Sequence, residues 1–211
     1  MRKADIEVLV FDLGNVLIPF DHQIMVRRFN EIHPGLGEIF IDRYYKNYNI
    51  HRDFERGKIP ENEFIGIMLE WLENKIDADS FCRIYSDIFS VNNQVVSLLP
   101  VLKTNYKLIL LSNTNSIHQK YGWQKYNFLN EFDELVLSHQ AGAVKPEEKI
   151  YKVVEKISGS EPERHLFIDD IKEYVEAAIS MGWNGIVFQG NERLITDFKL
   201  YDIKFDQRAN G

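Results

Sequence analysis

Short apolar runs and longer amphipathic stretches alternate along most of the chain. The apolar runs fall at 6–11, 108–111, 135–137, 165–168 and 185–188. Each is rich in Leu or β-branched residues and does not alternate with polar positions, the pattern of strands covered on both faces. Between them, Ile150, Val153, Val154 and Ile157 repeat at helical spacing over 147–157, and Val175, Ala178 and Ile179 do so over 171–181. A further helical stretch, 95–104, precedes the second strand, and 194–198 has helix potential in the tail. Strands alternating with helices predict an α/β fold built on a doubly wound parallel sheet.

From about Asp21 to Ser90 the rhythm changes. Phe64, Ile67, Met68, Trp71 and Leu72 form one helical apolar face, and Phe81, Ile84, Tyr85 and Ile88 form another. Gly35 and Gly57-Lys58-Ile59-Pro60 read as turns between helices. The pattern predicts an inserted helical unit over 19–90, with the sheet domain made from 1–18 plus 91–211. No internal repeat or low-complexity segment interrupts either part.

Composition narrows the classes. The 211 residues are 45% hydrophobic and 27% charged, enough for a core without disulfide staples. The formal net charge of −7 argues against a nucleic-acid binder, which needs a basic face. The single cysteine, Cys82, lies between Phe81 and Ile84 and reads as a half-buried, inert core thiol. A lone cysteine fits a reducing compartment. The opening Met1-Arg2-Lys3-Ala4-Asp5 lacks the apolar run of a secretory signal, and no stretch reaches the length of a bilayer span. These features predict a cytoplasmic protein, free of membrane and nucleic acid, working as a monomer or weak homodimer.

The chemistry gathers at strand ends. Asp12 follows the first strand, Ser112-Asn113-Thr114 the second, and Asp169-Asp170 the fourth, while Lys145 stands before Pro146 at the head of a helix. The carboxyl ends of parallel strands are where such sheets bind ligands. Singly, each residue has an ordinary structural reading: an aspartate after a strand caps or turns, a Ser-Asn pair makes a loop, and Lys-Pro starts a helix. Jointly, in this order, they point to a polar site on one rim.

Phe11-Asp12-Leu13-Gly14-Asn15-Val16, Leu111-Ser112-Asn113, Lys145-Pro146 and Phe167-Ile168-Asp169-Asp170 resemble the four motifs of the haloacid dehalogenase (HAD) superfamily. The resemblance covers nearly the whole chain and is nearest to the α-glucose-1-phosphate phosphatase-like subgroup. It implies a Rossmann-like core with a helical cap, and a magnesium-dependent phosphatase acting on small phosphorylated metabolites, sugar phosphates such as glucose 1-phosphate favoured. Asp12 would be the nucleophile, forming an aspartyl-phosphate. Mg²⁺ would bind Asp12, the carbonyl of Gly14 and Asp170, with Asp169 orienting a metal-bound water or Lys145. Ser112 and the Asn113 backbone N–H would hold phosphate oxygens, and Lys145 would neutralise charge on nucleophile and phosphoryl group. Three carboxylates against one ammonium leave two negative charges, which would repel a phosphate dianion unless one Mg²⁺ joins them.

Two positions depart from the superfamily pattern. Most of its phosphatases carry an acid–base aspartate two residues after the nucleophile, where this chain has Gly14, a glycine the subgroup shares. The fourth motif often has Asn or Asp where Tyr174 stands. Asp21, His51 and Arg52 in the insert are candidates to meet the substrate; His118 is expected to cap or pack on a helix, and His139 and His165 to need no role. Tyr44, Tyr45, Tyr48 and Phe54 are expected to pack between helices rather than to stack on a sugar ring. The rival readings are a metal-independent 2-haloacid dehalogenase, against which the Asp169-Asp170 pair speaks, and a non-catalytic protein that keeps the fold.

Overall fold

The computed structural model describes residues 5–205. Met1-Arg2-Lys3-Ala4, weighed above against a secretory signal, lie outside them. Five strands form one all-parallel sheet in the order β3-β2-β1-β4-β5: β1 Val8–Phe11, β2 Lys107–Ser112, β3 Glu134–Leu137, β4 His165–Asp169 and β5 Asn184–Val187. All five predicted strands are present. Ile6 falls outside β1, although Glu7 already bonds to both neighbours through Arg164 O and Lys107 N.

The absence of polar alternation has its predicted cause. Leu9 and Phe11 of β1 join Leu108, Leu110, Leu166 and Ile168 in one apolar layer. Val8 and Val10 point the other way, into a layer with Ile109, Leu111, Phe167 and the helices carrying Ile150, Tyr151, Val154, Val175 and Ala178. Helices cover both faces, so successive residues of one strand are buried in different layers.

The helices in chain order are α1 His22–Ile32, α2 Leu36–Lys46, α3 Tyr48–Glu55, α4 Glu61–Trp71, α5 Ala78–Ser86, α6 Asn93–Val96, α7 Leu99–Lys103, α8 Ser138–Ala141, α9 Glu148–Ser158, α10 Lys172–Ser180 and α11 Asn191–Leu200. The stretch 95–104, expected as one helix, is two short ones: Pro100 sits in the first turn of α7, where its missing N–H is tolerated but cannot continue α6. Ile88, assigned by periodicity to the helix of Phe81 and Tyr85, lies beyond α5, which ends at Ser86. None of the described helices is long and apolar enough to cross a membrane.

Helices α1 to α5 form a cap with its own apolar core, including Phe29, Phe40, Phe64, Met68, Phe81 and Tyr85. Its entry and exit segments run side by side. Phe20 pairs antiparallel with Phe89, Ser90 N donates to Pro19 O at 2.9 Å, and Asn92 N donates to Leu17 O at 2.8 Å. Cys82 is fully rather than half buried, and burial pushes its thiol up to about 11, so it stays protonated and inert.

Candidate active site

Parallel register brings the strand ends together. Phe11 is level with Leu110 of β2 and Ile168 of β4, so the next residue, Asp12, emerges beside Leu111, one position before Ser112, and beside Asp169. Asp12 N donates to Ile168 O at 2.8 Å, which fixes the turn out of β1. Lys145 arrives from the loop before α9 rather than from a helix; α9 starts only at Glu148. Its backbone is gripped by the Asn113 side chain: Lys145 N donates to Oδ1 at 2.8 Å, and Asn113 Nδ2 donates to Lys145 O at 3.1 Å.

The Lys145 ammonium is almost wholly buried, 2.6 Å from Asp12 Oδ1 and 2.5 Å from Asp169 Oδ2, and it also donates to Leu111 O at 3.2 Å. Burial disfavours its charge, but Asp12 and Asp169 outweigh burial and hold it above the ordinary lysine range. Asp169 is fully buried, and its second oxygen accepts from Ile171 N at 2.8 Å. Asp170 is half-buried and accepts from Asn15 Nδ2 at 3.0 Å.

One ammonium shared by two carboxylates, with a third nearby, leaves negative charge uncompensated. Burial raises Asp12 against the pull of Lys145, and with Asp169 and Asp170 adding to the rise it reaches about 7. Burial also raises Asp170. Oxygens of Asp12, Asp169 and Asp170 lie within 4.8 Å of one another. A compact all-oxygen donor set with surplus negative charge fits a small hard cation such as Mg²⁺. Asp12, Gly14 and Asp170 line the cavity, whereas Asp169 is turned to Lys145.

The cavity, open on one side, holds about 160 Å³ between this rim and the cap. Buried Ser112 and Asn113 line the sheet side, and the loop behind them is pinned by Thr114 N donating to Ser138 Oγ at 2.9 Å. From the cap come His22, Tyr44, Tyr48, His51, Arg52 and Glu55. Glu55 Oε1 lies 3.1 Å from His51 Nε2 and Oε2 3.2 Å from Arg52 Nη1. Burial opposes the Glu55 charge, yet His51 and Arg52 hold it below the usual carboxylate range. The cap docks through Arg56, whose Nη2 is 2.5 Å from Glu147 Oε1.

No family model matches the chain. Among curated proteins, it is 25% identical over 84% of its length to D-ribitol-5-phosphate phosphatase of Bacteroides thetaiotaomicron, covering 89% of that protein. It is likewise 25% identical to a phosphorylated carbohydrates phosphatase of Thermotoga maritima, over 83% of this chain and 82% of that one. Among solved structures, a HAD-family enzyme from B. thetaiotaomicron superimposes with a TM-score of 0.79 at 26% identity, over 92% of this chain and 98% of that one. The same enzyme has been solved in complex with magnesium and inorganic phosphate, and that form matches with a TM-score of 0.76 at 27% identity, over 86% of this chain and 93% of that one. The chain belongs to the haloacid dehalogenase superfamily.

Within that HAD frame, the structure collects Asp12, Gly14, Ser112, Asn113, Lys145 and Asp170 around one cavity, with Asp169 behind Lys145. At Gly14, an added Cβ would meet Phe20 Cε1 at 3.3 Å, so the Phe20 ring fills the space beside the nucleophile. Tyr174 also lines the cavity, its ring 5.3 Å from Lys145 Nζ. His51 and Arg52 reach the cavity, but Asp21 does not: its side chain caps α1 by accepting from Gln23 N at 2.8 Å. His118 packs, as expected, with its ring stacked 4.3 Å from that of Tyr85. Burial brings its pKa down to about 3, with His51 and His22 adding to the fall, so the imidazole is neutral. Tyr44 packs in the cap core, yet Tyr44 and Tyr48 also face the cavity.

The sequence reading missed three residues. Glu55 was open to detection, since it follows Arg52 by three and His51 by four residues and so shares their helix face. Asn15 carries a weaker signal: its backbone has φ +54°, a left-handed conformation that asparagine adopts more readily than most residues. His22 left no local trace, because only the packing of α1 against the core brings it to the cavity.

Proposed function

We propose that this protein is a Mg²⁺-dependent phosphatase that hydrolyses small phosphomonoesters through an aspartyl-phosphate on Asp12. The observation that carries the proposal is a buried ammonium shared by Asp12 and Asp169, beside uncompensated acidic oxygens, at the floor of a small cavity. In this reading Lys145 keeps Asp12 ionised and aimed, and neutralises charge as the phosphoryl group arrives. Ser112 Oγ and the Asn113 backbone N–H hold phosphate oxygens. Asp12, the Gly14 carbonyl and Asp170 hold Mg²⁺, with Asp169, the remaining acid of the cluster, chiefly orienting Lys145. When bound, the metal supplies the positive charge that lets an anionic ester approach an anionic nucleophile.

Residues 19–90 act as the cap over a core of 1–18 and 91–211, a division supported by the antiparallel bridge between Phe20 and Phe89. Cap residues His51, Arg52 and Glu55 give the cavity a wall of polar hydrogen-bonding groups, which suits a hydroxylated leaving group. With the names of the curated relatives, this favours sugar or polyol phosphates, glucose 1-phosphate among them. The single buried thiol accords with a cytoplasmic setting. Neither a 2-haloacid dehalogenase nor a non-catalytic scaffold needs surplus acidic charge at this place.

The test is phosphate release from a panel of phosphorylated metabolites, with Mg²⁺ or with EDTA, by the wild type and Asp12→Asn. Release that needs Mg²⁺ and drops by several powers of ten in Asp12→Asn is the expected result. No release from any ester would sink the reading and make 2-chloropropionate the next substrate to try.

A further inference from the structure

Phosphoryl transfer of this kind leaves one proton to be moved. When the P–O bond of an alkyl ester breaks, the departing oxygen is an alkoxide unless a proton reaches it, and the water that later attacks the aspartyl-phosphate must lose one. Gly14 offers no titratable atom beside Asp12, and the Phe20 ring occupies the adjoining space. The proton therefore has to come from elsewhere on the cavity wall.

Most titratable groups there are engaged. Lys145 is held between two carboxylates, and Asp170 is bonded to Asn15. His51 has both ring nitrogens in contact, Nδ1 with Tyr85 Oη at 3.0 Å and Nε2 with Glu55, while Glu55 itself serves His51 and Arg52. His118 faces Asn115 through Nδ1; its Nε2 is buried without a partner, and burial brings its pKa down to about 3, so it stays neutral rather than serving as an imidazolium. Burial raises the phenols of Tyr44, Tyr48 and Tyr174 above the ordinary tyrosine range.

His22 differs from all of these. It is the first residue of α1, it lines the cavity, and its ring centroid lies 5.3 Å from that of the Phe20 ring that abuts Gly14. Nδ1 lies 2.9 Å from Tyr45 Oη, a contact that orients the imidazole. The groups facing it are Asp21 on its own element, Tyr44 and Tyr45 of α2, and His51 of α3. Burial and His51 lower its pKa while Asp21 raises it, so it gives up a proton readily.

We infer that His22 is the acid–base residue of this site, in place of a carboxylate at position 14. In the first step the Asp12 carboxylate bonds to phosphorus, the bond from phosphorus to the leaving oxygen breaks, and the Nε2 proton of the His22 imidazolium becomes the hydroxyl proton of the released alcohol. In the second, water bonds to phosphorus, the bond to Asp12 breaks, and a water proton returns to Nε2, so the cycle closes with His22 and Asp12 as they began. The inference rests on the phosphatase reading of Asp12.

The experiment compares kcat/KM for the fastest alkyl ester of the metabolite panel with that for p-nitrophenyl phosphate, whose leaving group departs as a stable anion without a proton. His22→Ala and His22→Gln should each lower the alkyl-ester value on the order of 10²-fold, and the p-nitrophenyl value by no more than about threefold. The glutamine variant matters because its amide can hold Tyr45 but cannot transfer a proton. Equal losses on both esters, no loss on the alkyl ester, or wild-type rates in His22→Gln would each overturn the role. A wild type inactive on both esters, or an Asp12→Asn variant that keeps its activity, would instead remove the phosphatase reading beneath it.

Discussion

Arg52 donates from Nη2 to the backbone carbonyl of Lys145 at 2.9 Å, so a cap helix holds the main chain of the residue whose ammonium grips Asp12. Asn113 donates to the same carbonyl from the core side. Cap position and Lys145 placement are thereby coupled, and a change in α3 is felt at the nucleophile.

Removing that coupling has a readable effect. Arg52→Ala deletes a charge-assisted hydrogen bond worth about 1.5–3 kcal/mol and unpairs Glu55 Oε2. Steady-state kinetics should show kcat/KM down by roughly ten- to a hundred-fold. Unchanged kinetics would mean that Asn113 alone positions Lys145.

Lys145→Met tests the ion cluster without reference to substrate. It leaves Asp12 and Asp169 buried with no cation, a loss of about 3–5 kcal/mol for breaking one side of a buried pair. Urea unfolding in EDTA should register that loss, and turnover should vanish. A variant as stable as wild type in EDTA would show that the two carboxylates tolerate burial without the ammonium.

Asn15 and Asp170 make a prediction about the metal. Asn15 Nδ2 donates to Asp170 Oδ2 at 3.0 Å and so aims the carboxylate that is to hold Mg²⁺. Partners of this kind are typically worth about 10–100-fold in metal affinity. Titrating Mg²⁺ against the thermal midpoint should therefore need that much more metal in Asn15→Ala, and Asp170→Asn should show almost no Mg²⁺-dependent rise. An Mg²⁺ response undiminished in Asp170→Asn would move the metal away from this residue.

His118 predicts the acid side of the stability profile. Its pKa falls from an ordinary 6.5 to about 3 in the folded protein, chiefly through burial. A lowered pKa means that the unfolded chain takes up the proton first. The stabilising contribution is complete above about pH 6.5 and is lost as pH falls from there toward 3. Between pH 7 and pH 5 the wild type should lose about 2 kcal/mol more than His118→Gln, since one pKa unit corresponds to about 1.4 kcal/mol. Parallel pH profiles for the two proteins would show that the site admits water and protonates freely.

The sequence by itself determined the strands and most of what stands at their ends. Five buried parallel strands betray themselves by runs without polar alternation, because both faces of the sheet are covered. Asp12 and Asp170 follow β1 and β4 directly, and Ser112 and Asp169 are the last residues of β2 and β4, so their convergence was readable before any contact was known. Local chemistry also decided the break at Pro100 and the cap at Asp21, though periodicity merged α6 with α7, and its place in the insert put Asp21 nearer the substrate. Only the tertiary structure decided how the charges are shared. Lys145 is more than twenty residues from Asp169 and more than a hundred from Asp12, and the distances of 2.5 and 2.6 Å between them arise from register across three strands and from Asn113 holding the loop. The cap wall was likewise out of reach. His22, His51 and Glu55 lie on two helices whose apolar faces fix how they pack, and periodicity identifies those faces without saying which polar residues the packing will turn toward a distant rim.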